Sequence, residues 1–133
     1  MKKILFGALS LLAIIGLSGC ANNPNVITKE EIKTIKFLTA DEIKSQVTGK
    51  RLVGTSYKHN KMFDLLFDKD GTVSGTVADG KIKYNAKWYV SGDMRCMEKV
   101  EKNKKWCRKT YKVGNKYYDV TEDNVRTADY VIK

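Results

Sequence analysis

Three cysteines, one histidine and a few closely spaced acids are the side chains of this 133-residue sequence that could carry out chemistry. A thiol can take a lipid, bind a metal, exchange disulfides or attack an acyl group, and its setting selects among these. His59 lies in Tyr57-Lys58-His59-Asn60-Lys61, which reads as an exposed hairpin turn. A catalytic triad would need a serine and an acid to meet it, and no nucleophile-elbow spacing is present. Asp68-x-Asp70-Gly71 has the first part of a calcium-loop pattern but lacks the later acidic ligand, so it reads as an ordinary turn. The short glycine motifs lack the strand-to-helix setting of a phosphate loop. Zinc would need more ligands than His59 and the cysteines offer. No cofactor, metal or enzymatic activity is expected.

Cys20 has the clearest setting. Lys2 and Lys3 precede an almost unbroken apolar run, Ile4 to Leu17, which ends in Ser18-Gly19-Cys20 and is followed by polar Asn22-Asn23-Pro24-Asn25. This is a signal-peptide layout, and the run is short for a spanning helix, which needs about 20 apolar residues. Leu17-Ser18-Gly19-Cys20 resembles the lipobox of bacterial lipoproteins at every position. The resemblance implies a lipoprotein signal peptide at 1–19, a diacylglycerol thioether on Cys20, and a new amino terminus acylated with a palmitate-type chain. The alternative is an ordinary signal peptide cut after Ser18 or Gly19, with a free Cys20. Two or three acyl chains make attachment lasting, at about 0.8 kcal/mol per buried CH₂. Ala21 stands where an aspartate would be the familiar inner-membrane retention signal. Similarity to Gram-negative lipoproteins therefore implies a cell-envelope protein on the outer membrane, facing the periplasm.

Only two of the 25 Lys and Arg residues lie in the leader, so the mature chain keeps 23 against 15 acids, a formal balance of +8. The apolar share of 42% and the charged share of 30% are globular values and exclude a wholly disordered or multi-spanning chain. The length allows one domain. Residues 20–36 hold the only proline, mixed charge and no sustained period, and read as a lipidated tether. Val26, Ile27, Ile32 and Ile35 could still form an edge strand or a helical turn.

Residues 37–133 read as one β-rich domain. Thr39-Ala40-Asp41-Glu42 is a capping box, Ala40, Ile43 and Val47 share a helical face, and Gly49 supplies a left-handed stop; a short helix over 40–48 follows. Beyond Gly49 the period changes to two and turn signals recur, giving strands near 51–58, 61–67, 72–77, 82–90, 94–100, 105–113, 116–121 and 125–132. Asp79-Gly80 marks a two-residue hairpin. Ile82, Tyr84, Ala86, Trp88 and Val90 point one way, and Lys81, Lys83, Asn85, Lys87 and Tyr89 the other. The expected fold is mainly β: a small antiparallel meander curled into a barrel or half-barrel, with one short N-terminal helix.

With Cys20 assigned to lipid, Cys96 and Cys107 remain as an even pair in an exported chain and are expected to form a disulfide. A hairpin centred on Glu101-Lys102 would set them opposite each other. Closing such a loop stabilises by roughly 3 kcal/mol in the chain-entropy model. A redox-active pair is the alternative, but ten intervening residues are unlike a Cys-x-x-Cys motif. Lys87-Trp88-Tyr89-Val90, Arg95-Cys96 and Trp106-Cys107-Arg108-Lys109-Thr110-Tyr111 resemble a family of small secreted proteobacterial proteins without an assigned function. Leu38 to Ile43, Gly49 and Phe67 to Gly71 are similar to its opening helix and early hairpin. The resemblance runs over about 38–121 and implies an antiparallel β-domain with a disulfide. Its departure here is a more basic cysteine hairpin, and it brings no catalytic residues.

That hairpin is the most distinctive surface feature: Lys99, Lys102, Lys104, Lys105, Arg108, Lys109, Lys112 and Lys116, with Trp106, Tyr111, Tyr117 and Tyr118 among them. Such a surface could hold anionic lipid, lipopolysaccharide phosphates or acidic glycans, with Lys102, Lys104, Lys105, Arg108, Lys109 and Lys112 as candidate anion ligands. Nucleic acid is the least expected partner in the envelope. The competing reading is a solvated hairpin whose lysines keep an edge strand from pairing with other chains. The functional expectation is a non-enzymatic binding or structural module. An inhibitor of an envelope hydrolase such as lysozyme is the alternative, disfavoured because lysozymes are usually cationic and would repel a +8 chain.

Overall fold

Side chains alternate between two faces along the strands, and one set of faces closes around a common core, while on β5, β6 and β7 outward residues such as Cys96, Tyr111 and Val120 are buried as well. The computed structural model describes residues 23–133; the leader at 1–19, Cys20 and the start of the 20–36 segment lie outside the described residues. In chain order the elements are α1 (Lys29–Ile32), α2 (Ala40–Val47), β1 (Lys50–Ser56), β2 (Lys61–Phe67), β3 (Thr72–Val77), β4 (Ile82–Ser91), β5 (Met94–Lys99), β6 (Lys104–Val113), β7 (Lys116–Val120) and β8 (Arg126–Ile132). A 3₁₀ turn, Val100–Lys102, links β5 to β6. Each strand pairs antiparallel with the next and β8 returns to β1, so the meander is a closed barrel rather than a half-barrel.

The inward residues are those that the alternation groups together. Leu52, Leu65, Phe67, Val73, Trp88, Met97, Tyr117 and Tyr130 form the core, with Phe63, Val77, Tyr84, Ala86, Val90 and Trp106 packed against them. Phe67 meets Trp88 edge-on at 5.5 Å, and Tyr117 stacks on Tyr130 at 5.6 Å. An eight-stranded barrel is just wide enough for side chains to fill, and here they fill it. The outward row of β4, with Lys83, Asn85 and Lys87 exposed, is charged and polar, the reverse of a lipid-facing barrel wall.

Helix α2 closes one end of the barrel. Its capping box forms as expected: Thr39 Oγ1 accepts from the Glu42 amide, and Glu42 Oε1 accepts from the Thr39 amide. Asp93, in the β4–β5 turn, accepts from the Ala40 amide at 2.8 Å. Ile43 and Val47 are buried over the core, and Tyr117 Oη donates to Gln46 Oε1 at 2.7 Å. Helix burial thus seals the end that the strand side chains leave open.

One expectation needs correction. The 20–36 tether is, from Asn23 onward, a strap packed on the barrel wall. Val26 bridges Val125, the Ile27 amide donates to Asn124 O, and Phe37 bridges Tyr111. Ile27, Tyr111 and Val120 form a second small core, with Ile32, Ile35, Phe37 and Tyr118 against it. The four apolar residues of the strap are spaced to meet the wall and show no period of their own. The strap also contains a second helix, α1, with a Thr28–Glu31 capping box. The β3–β4 hairpin turns at Asp79-Gly80 as expected: both have positive φ, 60° and 85°, the Lys81 amide donates to Ala78 O at 3.2 Å, and Asp79 Oδ1 accepts from the Met62 amide on the neighbouring strand.

Barrel closure depends on close backbone approach at Gly54, which pairs with both Phe63 and Tyr130. A Cβ there would lie 1.9 Å from Asp129 O and 2.5 Å from Tyr130 Cα, so β1 and β8 could not keep their spacing. Gly54→Ala is expected to lower the unfolding free energy by about 1–3 kcal/mol in urea titrations followed by tryptophan fluorescence. An unchanged midpoint would mean that the seam relaxes freely.

Candidate functional site

The β5–β6 hairpin combines the disulfide with the densest lysines. Cys96 and Cys107 are directly opposite in the register and are bonded, with Cα atoms 4.0 Å apart. The same register sets Arg95 against Arg108, Met97 against Trp106, Glu98 against Lys105 and Lys99 against Lys104. Asn103 adopts φ 50°, the left-handed geometry that lets so short a connection reverse the chain.

Aromatic rings from β4 back the cations. Lys99 Nζ lies 4.3 Å from the Tyr84 ring centre, and Lys105 Nζ lies 5.7 Å from that of Tyr89. Burial, with Glu101 adding to it, pushes the Tyr84 hydroxyl up to about 12, so it stays neutral. Tyr89 and then Glu98 hold the Lys105 ammonium above its ordinary range. Across the outer face, Lys87, Glu98 and Lys105 make a plus-minus-plus row, which leaves cationic charge in excess. Lys102 and Lys104 are exposed at the hairpin tip. Fixed cations over aromatic faces suit an anionic, partly apolar ligand.

The six candidate anion ligands do not form one patch. Lys102, Lys104 and Lys105 lie at the hairpin tip, with Lys104 opposite Lys99 on one face and Lys105 opposite Glu98 on the other. Arg108 points inward; its Nη1 donates to Cys107 O at 2.9 Å, and burial lowers its pKa. Lys109 donates to Asn124 Oδ1 at 2.5 Å and lies over Phe37, 4.6 Å from the ring centre, fastening the strap. Lys112 lies over Tyr117 at the opposite end of β6, roughly 26 Å from Lys104 at about 3.3 Å per residue. Strand alternation and strand length separate what the linear run places together. Cys20 is outside the described residues, and His59 is exposed on the β1–β2 turn.

Sequence reading missed a buried polar network inside the barrel. Arg95 Nη2 donates to Asp119 Oδ2 at 2.6 Å, Nη1 donates to Asp119 Oδ1 at 3.3 Å and to Tyr130 Oη at 2.8 Å. Tyr130 Oη and Thr110 Oγ1 donate to Asp119 Oδ1 at 2.8 and 3.2 Å. Both charged side chains are nearly excluded from solvent, at 6% and 7% exposure. The guanidinium also faces the Phe67 ring at 4.9 Å. Burial would strip the Arg95 proton, but Asp119 and Tyr130 outweigh it and hold the pKa above its ordinary value. Burial raises the Tyr130 hydroxyl. The available signal was parity: Arg95 shares the inward phase of Met97, and Asp119 that of Tyr117.

Two shallow surface grooves are present among the described residues. One lies over Arg51, Asp64 and Thr76 on the outer face of β1–β3. The other, about 360 Å³, runs between the strap and the wall, past Glu31, Ile35, Tyr118 and Arg126. Neither enters the filled lumen. Comparison with known protein families, curated proteins and solved structures finds no match to this chain.

Arg95→Met would leave a buried, unpaired carboxylate and is expected to destabilise the barrel by about 3–5 kcal/mol in chemical denaturation. Combining it with Asp119→Leu should recover much of that loss. Additive losses in the double variant would show that the two groups act independently.

Proposed function

We propose that this chain is a lipid-anchored bacterial envelope protein whose barrel is a non-enzymatic binding module for anionic envelope components. Anchoring rests on the Leu17-to-Cys20 motif and the apolar leader before it. The observation that carries the binding reading is the β5–β6 tip: Lys99, Lys102, Lys104 and Lys105 on one disulfide-bonded hairpin, two of them over tyrosine rings. A stapled hairpin holds these charges at fixed spacing, which lowers the ordering cost of binding. A lumen filled by side chains favours recognition on the surface over enclosure of a small substrate. Lipopolysaccharide phosphates, anionic lipid and acidic glycans all offer the matching chemistry.

Intact-mass analysis of membrane-extracted protein is expected to give a chain that starts at Cys20 and carries diacylglycerol and acyl groups. A mature chain of unmodified peptide mass in the soluble fraction would overturn the anchor. Binding of the lipidated protein to lipopolysaccharide micelles, followed by fluorescence anisotropy, should weaken as ionic strength rises. Replacing Lys102, Lys104 and Lys105 with glutamine should lower affinity about 100-fold, at about 1 kcal/mol per lysine. Unchanged affinity in that variant would refute the binding surface.

A further inference from the structure

In an up-and-down barrel, alternate connections share an end. Opposite the α2-sealed end lie the β1–β2, β3–β4, β5–β6 and β7–β8 connections. Among the described residues there are five exposed large hydrophobics, and four belong to this end: Met62 at 54% exposure, Ile82 at 56%, Val100 at 58% and Val26 at 44%. They are distributed one to each corner, since Met62 opens β2, Ile82 opens β4, Val100 lies in the β5–β6 turn, and Val26 bridges Val125 beside the β7–β8 turn. Exposed Lys58, Lys61, Lys81, Lys83, Lys102 and Lys104 flank the first three corners. Exposed Asp79 and Glu101 stand among the lysines of the second and third corners and Glu122 and Asp123 at the fourth, so cations are in excess at the first three corners and acids at the last. The sealed end also mixes lysines (Lys44, Lys50, Lys69, Lys112, Lys116) with acids (Asp41, Asp70, Asp93) but has a single exposed large hydrophobic, Val113, so the apolar tips are what set the rim apart.

The strap connects this rim to the anchor. Asn25 O accepts from the Arg126 amide and Asn124 O from that of Ile27, so the chain leaves the barrel wall at the β7–β8 corner. Cys20 is six residues before Val26. At no more than about 3.6 Å per residue, its sulfur is within roughly 22 Å of that corner. The lipid is therefore tethered closest to the end that carries the apolar tips and the lysines.

We infer that this four-cornered rim is the membrane-docking face of the barrel: Met62, Ile82, Val100 and Val26 enter the headgroup layer while the flanking lysines bind anionic headgroups of the bilayer that holds the Cys20 lipid. The inference rests on the lipid-anchor and anion-binding readings above, and adds the surface, its orientation and its ligand. One apolar side chain at each corner gives a flat, multipoint contact. Lysines at the same height gain from the negative surface potential, which acts only within about a Debye length, or about 8–10 Å. The second contact sets the barrel upright over its anchor instead of leaving it free to swing on the chain.

The test uses the full lipidated protein in phosphatidylcholine vesicles, with and without phosphatidylglycerol, and reads hydrogen–deuterium exchange along the chain. Exchange at all four corners should slow severalfold only when phosphatidylglycerol is present, with the α2 end unchanged. Ile82→Asp with Val100→Asp, both at exposed turn positions, should abolish that protection while strand exchange stays native. Corners that exchange alike in both vesicles, or protection at the α2 end, would overturn the inference. If the glutamine variant at Lys102, Lys104 and Lys105 loses lipopolysaccharide binding while the corners stay unprotected, anion binding stands and the docking face falls. An unlipidated Cys20 overturns the anchor and this inference together.

Discussion

Closing eight strands into a barrel leaves a lumen about two side chains across, and every inward residue must share that volume. Most of this volume is aromatic and aliphatic, but Arg95 and Asp119 also lie within it. Their charges are tolerable because the guanidinium reaches both carboxylate oxygens and Tyr130 and Thr110 donate to Asp119 Oδ1, although the buried Arg95 Nε is left without a partner. The network ties β5 to β6, β7 and β8, the strands farthest in sequence from β1. It therefore holds together the half of the barrel whose last strand, β8, pairs with β1 at Gly54. A buried pair of this kind contributes less to net stability than to specifying one arrangement, since its parts are costly in any other.

Filling the lumen has a consequence for function. Larger or emptier barrels enclose ligands, whereas this one offers its wall and its two ends. Helix α2 occupies one end, capped by Thr39 and by Asp93 from the adjoining turn. The strap covers the wall at Tyr111, Tyr118 and Val120. What remains open is the outer face of β1–β5 and the opposite rim, where lysines and exposed apolar tips coincide. The disulfide joins β5 to β6 below that rim, so the most basic loop is also a covalently restrained one.

Much of the architecture was legible from one sequence. The Thr39–Glu42 capping box placed α2 within a residue of its observed end, because capping is a local contest between side chain and backbone. The inward face of β4, Tyr84 to Val90, followed from parity alone, whereas Ile82 of the same phase is exposed at the strand's start. The Cys96–Cys107 pairing followed from the centre of one hairpin. The strap did not, because Val26, Ile27, Ile32 and Ile35 have no regular period and become interpretable only against the Tyr111–Val120 surface that receives them.

The basic run divides in the same way. Sequence by itself determined that residues 99–118 are rich in lysine and aromatic residues, that Cys96 and Cys107 fall at positions a hairpin sets opposite, and that Leu17 to Cys20 resembles a lipobox. Only the tertiary structure decided that Lys102, Lys104 and Lys105 stand together while Arg108 turns inward and Lys112 lies at the far end. It also brought Lys58, Lys81, Met62, Ile82, Val100 and Val26 to one rim. The physical reason is closure: these residues come from three connections and the strap, spread from Val26 to Lys105, and they become neighbours only when β8 pairs with β1 and every second turn of the meander falls at the same end.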